Sequence, residues 1–170
     1  MEIYKDYRTW SDKFIPAIKQ IIGPRILDVS SFEVDTQNAA DFTVFRAKNL
    51  LIACRVRRFQ YIKYFGQFTI RAKLDSGIKT ELQKIVDGWG DIMFYGYACE
   101  SGVEIAAWSL IDLNAFRAHL IRNQKSIKQG TKSNYDGTHF KWFDINSFMG
   151  KPDLLIDQRS YIKEGYKLYP

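Results

Sequence analysis

Three charged side chains in this sequence have the types and spacing needed to hold an anion or a metal ion. Asp41 opens the segment 41–46, DFTVFR, while Arg55 and Arg57 close the segment 50–57, LLIACRVR. A short polar turn separates the segments, which predicts an antiparallel hairpin with Asp41 opposite Arg55 or its neighbour. Strand alternation puts the two arginines on one face. A carboxylate and two guanidiniums at one end of an apolar hairpin are costly unless they pair or bind something.

Two interpretations of this charge group are open. In the first, Asp41 and Arg55 form a cross-strand ion pair at the end of a sheet. In the second, Asp41 ligates a metal ion while Arg55 and Arg57 hold a phosphate group.

The residues that follow the hairpin are alternately basic and aromatic. The basic residues are Arg58, Lys63, Arg71 and Lys73, and the rings between them are Phe59, Tyr61, Tyr64, Phe65 and Phe68. Such a mixture suits a nucleic-acid surface, since cations pair with phosphates and rings stack on unpaired bases. An ordinary β segment with its rings inward and its charges outward has the same pattern, so both interpretations stay open.

The overall composition is that of one folded, basic protein. The chain has 170 residues, a net charge of +6 and 46% hydrophobic residues, which suits one well-cored domain with a polyanionic partner. Neither a signal peptide nor a run of about 20 apolar residues is present, so we expect a cytoplasmic protein with no membrane partner. Cys54 and Cys99 lack zinc-site spacing and are expected to be reduced core residues. Motifs for nucleotide binding or a nucleophilic triad are absent from the sequence.

Hydrophobic periodicity predicts an α+β fold whose elements position these charges. The first predicted elements are a helix over 7–22 ended by Gly23 and Pro24, a strand over 26–34, the hairpin, and an extension of it or another strand pair broken at Gly66. Next comes a helix over 80–86, in which Thr80 and Gln83 have capping-box spacing and which Gly88 ends, followed by two strands over 91–98 and 103–113 joined as a hairpin by a short loop. The last are a helix over 114–123 with Phe116, Leu120 and Ile121 inward, a loop over 124–137, and an aromatic strand from His139. His119 is expected at the surface, and His139 has no evident partner.

This order of elements, with an Asp opening the second strand, resembles that of the PD-(D/E)XK nuclease superfamily, which includes restriction endonucleases and resolvases. The likeness covers residues 7–117. It implies a three-layer, restriction-endonuclease-like core over 7–123, with a central mixed sheet flanked by helices, inside a single domain over 1–170 that ends in an extension over 124–170. It also implies that Asp41 is a ligand of Mg²⁺, for which Mn²⁺ can substitute.

The chain departs from the family's E-x-K motif, where it has Arg55 and Arg57. Arginine neither ligates Mg²⁺ nor acts as a base. The resemblance extends to members that carry the missing Glu or Lys on the following core helix, which here offers Glu81 and Lys84. A helical wheel places Glu81 near the edge of the buried face and Lys84 towards solvent. Glu81 is a candidate ligand, or simply an acid favoured in a helix's first turn.

Two main functional hypotheses follow. The first is a Mg²⁺-dependent endonuclease with Asp41, Glu81 and Lys84 as catalytic residues, and with Asp91 as a further metal ligand unless it only ends a turn. The second is a catalytically inactive descendant of the nuclease fold that binds nucleic acid or a protein partner. A third is an interaction protein of a phage or mobile element. The resemblance favours DNA over RNA, and the sequence leaves the oligomeric state open, a homodimer included.

Overall fold

The computed structural model describes most of the chain in two units. The described residues are 9–29, 42–44, 50–73, 79–134, 137–150 and 152–161. The first unit ends at Leu50 and the second begins at Leu51. None of the described helices is both long and apolar enough to cross a membrane.

Within residues 9–29 and 42–44, the described part of the first unit, the chain forms a helix and a small sheet. Its elements are α1 (Ile15–Ile26), β1 (Leu27–Val29) and β2 (Phe42–Val44), and β2 pairs with β1 in antiparallel orientation. Buried residues at intervals of four define the apolar side of the helical segment: Phe14, Ile18 and Ile22. The predicted stop at Gly23 and Pro24 is wrong, since α1 runs on to Ile26. Pro24 is two residues from the end of α1, so the bond that it removes, from its own nitrogen to the carbonyl of Gln20, is one of the last in the helix.

The described residues of the second unit form two sheets, two α-helices and two 3-10 helices. Its elements in chain order are β3 (Ile52–Arg57), a 3-10 helix (Phe59–Tyr64), β4 (Gln67–Lys73), α2 (Glu81–Val86), β5 (Ile92–Ala98), β6 (Ile105–Asp112), α3 (Leu113–Arg122), β7 (Gln129–Ser133), β8 (His139–Asp144), a 3-10 helix (Ile145–Ser147) and β9 (Leu155–Ser160). The larger sheet has the order β3-β5-β6-β9, and the smaller has the order β4-β8-β7. The predicted α+β class with a mixed sheet is thus confirmed, since β3 and β5 are parallel and the other pairs are antiparallel.

An aromatic core lies on the inner side of the smaller sheet. Phe68 of β4 stacks on Phe143 of β8 at 5.3 Å between ring centroids, and Phe116 of α3 meets Phe143 edge to face at 5.0 Å. The same cluster contains Met93 and Tyr95 of β5, so it also includes the larger sheet. Because these rings fill one side of the smaller sheet, the residues that alternate with them on β4 and β8 lie on its other side.

The predicted hairpin between 41–46 and 50–57 is wrong. The described part of its first strand, β2, pairs with β1, whereas β3 pairs in parallel with β5. The reason is that β5 is buried along nearly all of its length and needs a strand on each side to satisfy its backbone. One neighbour is β6 and the other is β3. The predicted alternation along β3 holds, since Val56 is buried while Arg55 and Arg57 share the opposite face.

Several predictions around the helices are confirmed. Thr80 accepts a hydrogen bond from the backbone N–H of Gln83, and the Gln83 side chain accepts one from the N–H of Thr80, which completes the predicted capping box of α2. Gly88 follows the helix with φ 96°, as expected for its end. β5 and β6 also form the predicted antiparallel pair.

Other predictions fail because the buried face of a segment, or the partner with which it pairs, differs from the one that the sequence pattern predicts. Of the three residues of α3 predicted to face inward, Phe116 is buried and Leu120 packs partly buried against the core, but Ile121 is 85% exposed because the buried face runs through Leu113 and Phe116. His119 is on that face, buried, with Nε2 2.7 Å from the carbonyl of Pro152. The predicted loop over 124–137 contains β7, and the segment 59–64 is a 3-10 helix. Cys54 is exposed and Cys99 half-buried, so neither is a core residue, although both are free thiols.

Candidate functional site

The first feature of the candidate site is an ion pair between β3 and α2. Arg55 Nη2 donates to Glu81 Oε2 at 2.5 Å, and Arg55 Nη1 donates to the carbonyl of Thr69 at 2.9 Å. The backbone N–H of Arg71 donates to the same Glu81 oxygen at 3.1 Å. Both charged side chains are only about a quarter exposed, at 26% and 29%. The pair therefore links β3, β4 and the start of α2 through one carboxylate.

This ion pair bears on two predictions, the orientation of α2 and the partner of Arg55. Glu81 lies at the edge of the buried face and Lys84 is exposed, as the helical wheel predicts. The partner of Arg55 among the described residues is Glu81, whereas the predicted partner, Asp41, lies outside the described residues. Glu81 could serve as a metal ligand only if its carboxylate gave up this guanidinium, or if the cation were shared beside it.

Asp91 has a structural role in the strand that it precedes. Its Oδ2 accepts from the backbone N–H of Leu51 at 2.9 Å, and its own N–H donates to the carbonyl of Leu51 at 2.8 Å. Asp91 therefore fixes the point at which β3 and β5 begin to pair. This role agrees with the alternative prediction, in which Asp91 ends a turn. In the part of the chain that the structure describes, no three His, Cys, Asp or Glu side chains are grouped for metal binding. The Mg²⁺ site stays a prediction, because it depends on Asp41.

Arg57 lies where the larger sheet meets β4. Its Nη1 is 3.4 Å from Thr69 Oγ1, and that hydroxyl is 2.8 Å from the hydroxyl of Tyr95. The guanidinium carbon lies 4.3 Å from the ring centroid of Tyr61, within cation-π distance. A hydrogen bond and a ring together hold this cation beside the face of β4 that carries Thr69.

The register of the smaller sheet brings further cations and rings to the same face. Residues level with each other on neighbouring strands form two rows, of which the first is Thr69, Trp142 and Gly130 and the second is Arg71, Phe140 and Lys132. Both rows lie on the side away from the aromatic core. Phe140 and Trp142 are half-buried, and Lys132 is exposed.

Gly130 makes room for the indole of Trp142. A Cβ atom at this position would lie 2.6 Å from Trp142 Nε1 and 2.8 Å from two carbon atoms of the ring. Real side chains do not approach so closely, so the indole lies across a strand position that has no side chain. The lack of a side chain at Gly130 thus permits this position of Trp142.

The first 3-10 helix, Phe59–Tyr64, contributes Tyr64 to this face. Lys63 Nζ and Lys132 Nζ lie 5.3 and 5.5 Å from the Tyr64 ring centroid, although the two lysines are far apart in sequence. The hydroxyl of Tyr97 lies 2.9 Å from the carbonyls of Tyr64 and Gln67, which anchors the end of the 3-10 helix to β5. Burial, followed by the nearby Tyr95, raises the pKa of Tyr97 well above its usual range, and Arg57 opposes that shift.

We call the resulting surface the outer face. It comprises Arg57, Tyr61, Tyr64, Arg71, Lys132, Phe140 and Trp142. Sequence reasoning selected Arg57 and Arg71 as nucleic-acid contacts but not Lys132, Phe140 or Trp142. The alternation of large rings at Phe140 and Trp142 with other residues was the available signal for the last two.

The other predicted contact residues lie near the ends of the same elements. Arg58 is exposed and precedes the first 3-10 helix, Lys63 is in the last turn of that helix, and Lys73 ends β4. The cations and rings of the outer face itself come from β3, the first 3-10 helix, β4, β7 and β8.

No family model matches this chain, and comparisons with curated proteins and with solved structures give no significant match.

Proposed function

We propose that this protein binds nucleic acid through the outer face. The observation that carries the proposal is the convergence of Arg57, Arg71 and Lys132 on one face with four aromatic rings. Cations at such a surface neutralise phosphates and release their counterions, which supplies sequence-independent affinity. The net charge of +6 adds a long-range attraction of the whole protein for a negatively charged partner.

The local charge balance of the outer face also favours a polyanion. Asp144 lies on this side of the sheet, but it is only 8% exposed and its Oδ2 is 3.7 Å from Lys128 Nζ. Its Oδ1 accepts from the backbone N–H of Asn146, so it caps the following 3-10 helix. Because Asp144 is buried, accepts a backbone N–H and lies near a lysine, its negative charge opposes phosphate binding only weakly.

The proposal takes the second of the two main hypotheses, a nuclease-like protein without catalysis. The parallel pairing of β3 with β5 and the position of Glu81 beside β3 support a restriction-endonuclease-like core. Arg55 nevertheless stands where the family has an acid, and it binds the carboxylate of the replacement candidate, Glu81. That pair stabilises the contact between strand and helix and leaves the cations of the outer face to hold phosphate.

Binding is tested by fluorescence anisotropy with labelled DNA and RNA oligonucleotides of about 20 nucleotides at low salt. Lys132→Gln and Arg57→Gln should each weaken binding about 3- to 10-fold and reduce the slope of log affinity against log salt by about 1. Arg122→Gln is the matched control, since Arg122 is exposed at the end of α3, which packs against the inner side of the sheet. Absence of binding at low salt, or equal loss in the control, overturns the proposal.

A cleavage assay separates the two hypotheses. Wild type, Asp41→Ala and Glu81→Gln are incubated with the same oligonucleotides and with Mg²⁺ or Mn²⁺. The proposal expects binding without cleavage in all three proteins. Cleavage by wild type that is lost in Asp41→Ala would replace the proposal with the metal-dependent phosphodiesterase.

A further inference from the structure

We infer that the ligand of the outer face is single-stranded nucleic acid, whose unpaired bases stack on Trp142 and Phe140. This inference rests on the proposed function and specifies the form of its substrate. It depends on what surrounds the two rings.

The neighbours of the two rings are small or cationic. Across the strands, Trp142 lies between Thr69 and Gly130, whereas Phe140 lies between Arg71 and Lys132. Large aromatic residues that face each other across neighbouring strands stabilise a sheet by packing on one another. Such residues are on the inner side of this sheet, where Phe68 pairs with Phe143. The rings of the outer face therefore have neighbours suited to phosphate and base contact.

The spacing of the rings suits consecutive bases. Phe140 and Trp142 are two positions apart on β8, so about 7 Å of strand separates them and both project from the same side. Each ring can therefore receive its own base. Arg71 and Lys132, one on each side of Phe140, are placed to hold the phosphates that flank the base on that ring.

A duplex cannot make the stacking contacts. Its bases are already stacked inside the helix, so a protein meets phosphates, sugars and base edges unless it unpairs the strands. The cations of the outer face would bind duplex through phosphates alone. Unpaired bases gain the stacking contact in addition, and this contact is tolerant of sequence because every base has a flat face.

The first test compares single strands with duplexes of the same sequence. Single-stranded DNA and RNA of about 12 nucleotides are titrated against the full chain, together with the duplex of each. We expect at least one of the single strands to bind about 10-fold or more tightly than its duplex. If neither does, and the duplexes bind with the Lys132→Gln sensitivity described above, the inference is overturned but the proposed function stands. If nothing binds, both fall.

The second test removes the rings. Trp142→Leu and Phe140→Leu should each weaken single-strand binding about 5-fold or more, while Trp142→Phe should retain most of it. Trp89→Leu is the matched control because Trp89 is 64% exposed and follows α2. Thermal unfolding of each variant checks that it is folded. If Trp142→Leu is not folded, the loss expected for Phe140→Leu decides the test, and binding by Phe140→Leu equal to that of Trp89→Leu overturns the inference. Equal affinity of Trp142→Leu and Trp89→Leu overturns the inference.

Photocrosslinking gives a readout that does not depend on variants. A single strand containing 5-iodouracil is irradiated with wild-type protein, and the modified residue is identified by mass spectrometry. Adducts on Trp142, Phe140 or Tyr64 are expected from stacked bases. Adducts confined to other residues would place the bases elsewhere and overturn the inference.

Discussion

Arg55 and Glu81 form an ion pair that joins a strand of the larger sheet to the first turn of a helix. The two residues are 26 positions apart, and the Glu81 carboxylate also accepts the N–H of Arg71. One acid thereby satisfies a guanidinium and a backbone amide in a site that is only about a quarter exposed. Since partly desolvated charges are costly without partners, each member of the pair requires the other.

Truncation of Glu81 should therefore destabilise the protein. Glu81→Ala leaves the Arg55 guanidinium without its carboxylate and the Arg71 amide without its acceptor, so we expect the free energy of unfolding to fall by about 1–3 kcal/mol. Glu81→Gln should lose less, because its amide oxygen still accepts a hydrogen bond. Urea unfolding followed by circular dichroism measures both effects. The control is Glu100→Ala, which changes an exposed turn residue. Equal stability of Glu81→Ala and this control would contradict the prediction.

The cap of α2 should account for a further part of the stability. Thr80 is buried, and its hydroxyl accepts the N–H of Gln83 at 3.2 Å. We expect Thr80→Ala to lower the free energy of unfolding by about 1 kcal/mol, since a helix of six residues has few other ways to satisfy its first amides. Thermal unfolding measures the change. Thr80→Ser, which keeps the hydroxyl, should stay close to wild type, and a Ser variant as unstable as the Ala variant would assign the effect to packing.

Local features of this fold could be predicted from the sequence. The capping box at Thr80 and Gln83, the end of α2 at Gly88 and the pair of β5 with β6 all involve residues close together in the chain. The position of Glu81 followed from helical periodicity alone. In each case a short segment contains both partners of the interaction, so propensity and spacing determine the result.

The features that failed depend on partners distant in sequence. β3 pairs with β5, about 40 residues further on, instead of with the strand before it. β7 is polar and contains Gly130, so it has the composition of a loop, and only its pairing with β8 makes it a strand. The outer face was incompletely predicted for the same reason, since Lys132 reaches Tyr64 only through that pairing. Asp41 lies outside the described residues, and its role stays a prediction.

The two free thiols should differ in reactivity. Partial burial raises the pKa of the Cys99 thiol, but hydrogen bonds from Ser101 and from backbone amides, the Glu104 amide at 3.2 Å among them, lower it by more, so the net pKa falls below its ordinary value. Although Cys54 is exposed as a residue, the protein atoms around its sulfur partly exclude water and raise the pKa of its thiol. Because the thiolate is the nucleophile, iodoacetamide should alkylate Cys99 several-fold faster at near-neutral pH.

Peptide mass spectrometry at timed intervals measures the two alkylation rates. In about 8 M urea, where the folded environment is lost, the rates should converge. Ser101→Ala should slow the reaction of Cys99 without affecting that of Cys54. Faster alkylation of Cys54 in the folded protein would show that exposure outweighs the difference in pKa.

Alkaline pH should destabilise the second unit through Tyr97. Its folded-state pKa is raised, chiefly by burial, whereas a tyrosine in the unfolded chain ionises near pH 10. Above that pH the unfolded state releases a proton that the folded state retains, so unfolding becomes more favourable as pH rises. The stabilisation from Tyr97 is therefore complete below about pH 10 and decreases by up to about 1.4 kcal/mol per pH unit above it. Urea unfolding at a series of pH values from about 8 to 11 measures this slope.

The matched variants isolate the contribution of this residue. Tyr97→Phe removes the titrating group together with its contacts to the carbonyls of Tyr64 and Gln67, so it should be less stable than wild type at about pH 8. Its stability should fall less steeply above about pH 10, and the two curves should converge as pH rises. Tyr161→Phe, at a side chain that is 65% exposed, should keep the wild-type slope. If Tyr97→Phe also kept that slope, Tyr97 would ionise alike in both states, and burial would not hold its proton.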